Sequence, residues 1–255
     1  MKLVPLLAIQ RGFYEMPKEF RFQAYLDTML VDLIDIRYPL GNMNPMAKAH
    51  VPALLDELLG QNVEEAAQES LDKVLASYPP DLFANLSVGL VMADDAQGGW
   101  TDRLDVAFKN AFRNQSLLKR GWIEAILWSS DNDPDQLKSL AQSSVELATH
   151  RVAYMLQKGK ACITLGDMLD QEAWVYEKGS HHPDTDIKPD QETVQSCLDI
   201  LKQNQEASID NDYPTVVASF YGDEAAQARG YPGIGMDLSG LDICRLGLWG
   251  CPAAN

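Results

Sequence analysis

Positive charge is scarce in this chain of 255 residues, where 21 Lys and Arg stand against 37 Asp and Glu for a formal charge of -16. Binding to phosphate backbones or anionic lipid surfaces rests on clustered Lys and Arg. No basic run occurs, so neither a nucleic acid nor a membrane is expected as a partner. Cysteine is scarce as well. Cys162, Cys197, Cys244 and Cys251 form no CxxC pair, and their spacing fits neither a zinc ribbon nor a small disulfide scaffold. Buried reduced thiols are the expectation, with Cys244 and Cys251 able to close a small loop only in an oxidising compartment. Long apolar runs are missing too. The opening MKLVPLLAIQ is interrupted by Pro5 and is short for a secretory signal, and no later stretch reaches the ~18 apolar residues of a membrane span. These absences point to a cytoplasmic protein. Walker A, GxSxG, HExxH and dinucleotide-glycine patterns are also absent, so no cofactor is expected.

What is present is helical spacing. Apolar residues return every three or four positions over 17–37, 46–59, 62–78, 134–157, 167–177 and 189–207, with a short helix at 215–221. The segment DLFANLSVGLVMA, from Asp81, is apolar nearly all round and reads as a buried central helix. It is expected to pack against the longest helical signal, from Thr101 to Trp128, in which Leu104, Phe108, Ala111, Leu118, Trp122 and Ile126 share one face. Length and composition allow one sizeable core. The sequence therefore predicts an all-α fold, a single domain of about eight to ten helices around a buried central pair. In this reading residues 1–212 form the body, and 213–255 form short helices and an irregular Gly- and Pro-rich tail lying against it.

Candidate binding residues follow from where polar groups fall on those helices. Arg151 projects beside the apolar stripe of its helix, where a guanidinium must reach out to solvent or be paired; its bidentate fork suits a carboxylate or phosphate. Gln115 lies inside the stripe of the long helix, so it needs a polar partner or a cavity. The GGWTDR turn contributes Trp100, Asp102 and Arg103, and a glycine turn opening a helix can present backbone N–H groups to an anion. Simple capping by Thr101 and Asp102 explains the same turn.

The metal-ligating signals are weak. Glu146 and His150 stand four apart on one helix face, but opposite the apolar stripe, so they read as an exposed pair. His181 and His182 fall in a loop-like stretch without further ligands at fixed spacing. Asp131, Asp133 and Asp135 begin like a calcium loop, but Gln136 and Gln142 occupy the positions that need glycine and a bidentate acid. His50 has no local partner and reads as structural or exposed. The functional expectation is a helical protein that binds a small anionic ligand or a protein partner. The alternative is a helical enzyme with a polar or metal-assisted pocket near Arg151 and the Gly98–Arg103 turn.

Overall fold

A computed structural model describes residues 1–32, 34–180 and 187–250. The chain resolves into two compact units, Met1–Ala153 and Tyr154–Asn255. In chain order the first carries β1 (Leu3–Val4), α1 (Leu7–Phe13), α2 (Lys18–Met29), β2 (Leu30–Val31), β3 (Asp35–Ile36), α3 (His50–Gly60), α4 (Val63–Leu75), β4 (Ser87–Ala93), α5 (Arg103–Phe112), α6 (Gln115–Leu118), β5 (Trp122–Trp128) and most of α7 (Leu137–Lys158).

The fold is mixed α/β, which corrects the all-α expectation. Strands β1, β4 and β5 form a parallel sheet in the order β1-β4-β5, with Gly89 opposite Glu124 and Ala93 opposite Trp128. The segment expected as a buried central helix holds β4, and the last residues of the long helical signal form β5, its parallel neighbour. Both strands are buried along almost their whole length, and a strand covered on both faces loses the alternation that marks a half-exposed one. A continuous apolar run of that kind has no period that separates helix from strand.

The long helical signal is broken twice. Helix α5 stops at Phe112, and Gly121 adopts φ +82°, a left-handed conformation that ends the helical stretch and turns the chain into β5. The helix expected over 17–37 also ends early. At Leu30 the chain enters an antiparallel hairpin with Leu30 opposite Ile36 and Val31 opposite Asp35, and Asp32 sits in the turn at φ 52°.

Helices α1, α4 and α6 of the first unit pack on the sheet. Helix α1 lies against β4 and α3, and α4 lies against β1. Gln10, fully buried on α1, both donates to the Met92 carbonyl and accepts from the Met92 N–H, each at 3.0 Å. That pair of bonds satisfies a buried amide and locks the helix onto the strand.

The second unit is helical among its described residues: α8 (Leu165–Lys178), α9 (Gln191–Asn204), α10 (Tyr213–Tyr221), α11 (Asp223–Ala228) and α12 (Gly240–Arg245). Helices α8 and α12 begin with capping boxes, Thr164 with Asp167 and Ser239 with Asp242. Gly240 lets α12 approach its neighbours, since a Cβ there would stand 2.8 Å from Leu169 Cδ2 and 2.9 Å from the Ser219 carbonyl oxygen. Ile243 and Cys244 are buried by that approach. Part of the tail expected to be irregular is therefore a packed helix.

Candidate functional site

The loops that leave the carboxyl ends of β4 and β5 hold a dense group of polar side chains. Strand β4 runs directly into Asp94 and Asp95, and β5 into Ser129, Ser130 and Asp131. In open parallel sheets ligands collect at this end, where loops diverge from a rigid frame. The order β1-β4-β5 contains no reversal, so the site is made by loop residues rather than by a crevice between oppositely directed crossovers.

Asp94 is its centre. Its side chain is 2% exposed, a burial that a carboxylate tolerates only when it is well bonded. Its Oδ1 accepts from His50 Nε2 at 2.9 Å and from the Ser129 hydroxyl at 3.3 Å, and its Oδ2 accepts from Asn44 Nδ2 at 2.7 Å. The Asp94 carbonyl accepts from Thr101 N–H at 3.1 Å.

The glycine turn is wrapped around this group. Gly98 takes φ +79°, and a Cβ on Gly99 would lie 2.2 Å from the Asp94 carbonyl oxygen and 2.6 Å from Oδ1. Only glycine fits there. The same turn places Trp100 and Thr101 on a cleft of about 410 Å³ shared with Asn42, Asp102, Asp105 and Lys109.

His50 opens α3, and its ring is held by Asp94 through Nε2. Its Nδ1 is buried and has no hydrogen-bond partner among the described residues. A carboxylate on one imidazole nitrogen fixes the tautomer and leaves the other nitrogen as a lone pair.

Glu124 adds a second buried acid. It sits on β5 at 4% exposure and accepts from Asn42 Nδ2 at 2.8 Å. Burial pushes its pKa up to about 8 against the pull of the Asn42 hydrogen bond, so it holds its proton at neutral pH. Asn42 therefore joins the buried carboxyl to the cleft wall. Tyr25, whose hydroxyl donates to the Leu40 carbonyl at 3.1 Å, is raised to about 12 by burial and then by the Glu124 charge.

Arg103 acts as a staple across the two strand ends. Its guanidinium forks onto Asp131 at 2.8 and 2.7 Å, donates to the Ser130 hydroxyl at 2.8 Å, lies 3.6 Å from Asp95 and stacks 5.1 Å from the Trp128 ring centroid. Asp95 in turn accepts from Ser130 N–H at 2.9 Å and from the Ser130 hydroxyl at 2.7 Å.

No family model, curated protein or solved structure matches this chain. The functional argument therefore rests on the geometry.

Of the residues expected from sequence, Trp100 and Asp102 line the cleft and Arg103 stands at the strand ends beside it. Asp102, rather than Thr101, caps α5, by accepting from Asp105 N–H at 3.0 Å. Gln115 opens α6 and donates to the Phe112 carbonyl at 3.2 Å. Arg151 is half-buried on α7 and does not line this cleft.

Glu146 and His150 are not an exposed pair: they are 2% and 3% exposed. The Tyr78 hydroxyl meets His150 Nδ1 at 2.6 Å, and Glu146 lies 3.9 Å from His150 Nε2. The length of α7 hid this, because a helix packed on several sides buries residues outside its main stripe. His181 and His182 lie outside the described residues. Among the described residues no group of three or more His, Cys, Asp and Glu side chains is placed to hold a metal ion.

Sequence reading missed Asn42, Asn44, His50, Asp94, Glu124 and Ser129 as a group. One signal was available: an apolar run, SVGLVMA, ending abruptly in Asp94-Asp95 reads as a buried strand with acids at its carboxyl end.

Proposed function

We propose that this chain binds a small polar molecule over the carboxyl ends of β4 and β5, and that His50 and Asp94 form the pair that exchanges a proton with it. The observation that carries the reading is the buried His50 Nδ1, which has no partner among the described residues while Nε2 is held 2.9 Å from Asp94. A buried polar atom of this kind is ordinarily satisfied by water or by a ligand. In an oriented carboxylate–imidazole pair that nitrogen is the one that accepts a proton from a bound hydroxyl, amine or water.

The His50–Asp94 pair does not itself line the neighbouring cleft, whose wall of Asn42 and the Trp100–Asp102 turn offers hydrogen bonds and an aromatic face to a ligand that reaches both. The fork of Arg103 is taken by Asp131, so an anion at Arg103 competes with a carboxylate already in place. This favours a ligand recognised by hydrogen bonds over one recognised by negative charge.

No helix among the described residues is long and apolar enough to cross a membrane. Among the described residues Cys162, Cys197 and Cys244 are free thiols, and Cys251 lies outside the described residues.

A thermal-shift screen of the protein against neutral, anionic and zwitterionic metabolites tests the proposal. At least one class raises the melting temperature of the wild type, and His50→Gln and Asn42→Ala each abolish that rise. A panel that produces no rise, or a rise that survives both substitutions, refutes it.

A further inference from the structure

The second unit carries its own cavity, lined by aromatic rings. Tyr154, Trp174, Tyr176 and Trp249 line a cleft of about 630 Å³, a volume within the range of small-molecule sites. Tyr154 and Trp174 lie 5.5 Å apart at 57°, and the Trp249 indole N–H donates to Asp170 Oδ1 at 2.8 Å. The aromatic wall is thus fixed by packing on one side and by a hydrogen bond on another.

Charges of both signs are set into this wall. Lys158 Nζ stands 5.6 Å from the centroid of Tyr154, and the Arg245 guanidinium 5.9 Å from that of Tyr176. Arg245 Nε also donates to the Tyr176 hydroxyl at 3.2 Å, which holds the guanidinium at the ring. The acids Asp170 and Glu177 line the same cleft.

Arg245 also lies 3.4 Å from Asp242 Oδ1, which leaves Lys158 as the cation offered to a ligand. A ligand with only a positive charge meets that ammonium, and one with only a negative charge meets Asp170 and Glu177. A flat ring bearing both an ammonium and a carboxylate pairs with each sign while its face stacks on indole or phenol. We propose that the second unit binds a small aromatic zwitterion, of aromatic amino-acid chemistry, in this cleft. The assignment is independent of the site in the first unit.

Ligand-observed saturation-transfer NMR on the full chain tests it, with L-phenylalanine as probe and phenylacetate and phenethylamine as single-charge controls. Phenylalanine binds saturably and about tenfold more tightly than either control, the difference one charge-assisted pair supplies. Trp174→Leu abolishes that binding and Lys158→Met weakens it. Lys158 is exposed, so its variant keeps the test intact even where Trp174→Leu fails to fold by circular dichroism. Absence of saturable phenylalanine binding, tighter binding of either control, or unchanged affinity in Lys158→Met overturns the proposal.

Discussion

Two residues carry most of the physical weight of the candidate site, one by what it lacks and one by what it buries. Gly99 lacks a Cβ where the Asp94 carbonyl oxygen lies 2.2 Å from the position one would take. Alanine there forces the turn away from Asp94 and costs about 2 kcal/mol or more, the usual scale of overpacking at a site with no room to relax. Urea titration reads this as a lowered midpoint with an unchanged slope; a midpoint equal to that of the wild type would show that the turn does not clasp the carboxylate.

Glu124 is the buried group. Its pKa rises from 4.5 to about 8 on folding. Between those values the unfolded chain has released this proton and the folded protein retains it. The contribution of Glu124 to stability is therefore fully present below about pH 4.5, declines by up to about 1.4 kcal/mol per pH unit as pH rises, and levels off above about pH 8. Glu124→Gln removes the titration. Relative to the wild type, the variant becomes steadily more stable from about pH 5 to about pH 8 in parallel urea titrations, whereas a pH-independent difference contradicts a buried protonated carboxyl.

At the scale of elements, the sequence made helices legible and hid the sheet. Val51, Leu54, Leu55 and Leu58 bury one face of α3 as their spacing requires, and Gly60 is its last residue. The same spacing logic misread SVGLVMA and WIEAILW, because strands buried on both faces carry no alternation. It also ran through Gly121, whose φ of +82° is visible only in the fold, since glycine tolerates a helix interior as well as a turn.

The site was hidden for the same reason. Asp94 and Ser129 stand 35 positions apart and come together only because β4 and β5 are parallel neighbours, and a helical reading of either segment separates them. The Trp100–Arg103 turn was legible, because its glycines and polar residues mark a turn under either reading. Backbone ¹³C chemical shifts decide between the two architectures. Residues 87–93 and 122–128 give extended-chain shifts while 103–112 give helical ones; helical shifts across 122–128 would restore the long helix and dissolve the site.

At the scale of the whole molecule, a surplus of acid is combined with two compact units, each with a cavity of its own. In the first unit the acids are not spread as a solvated surface alone. Asp94, Asp95 and Asp131 are joined through Ser129 and Arg103, His50 is held by Asp94, and Glu124 is bonded to Asn42 on the cleft wall. The arrangement orients an imidazole and leaves one of its nitrogens without a hydrogen-bond partner among the described residues.

The tautomer of His50 is the most direct test of that account. The chain has 4 histidines, so a long-range ¹H–¹⁵N spectrum of the histidine-labelled protein is simple, and loss of one pattern in His50→Gln assigns the ring. The account predicts that His50 carries its proton on Nε2, with Nδ1 unprotonated, and that this tautomer is lost in Asp94→Asn. A ring protonated on Nδ1, or one averaging freely between tautomers in the wild type, contradicts it.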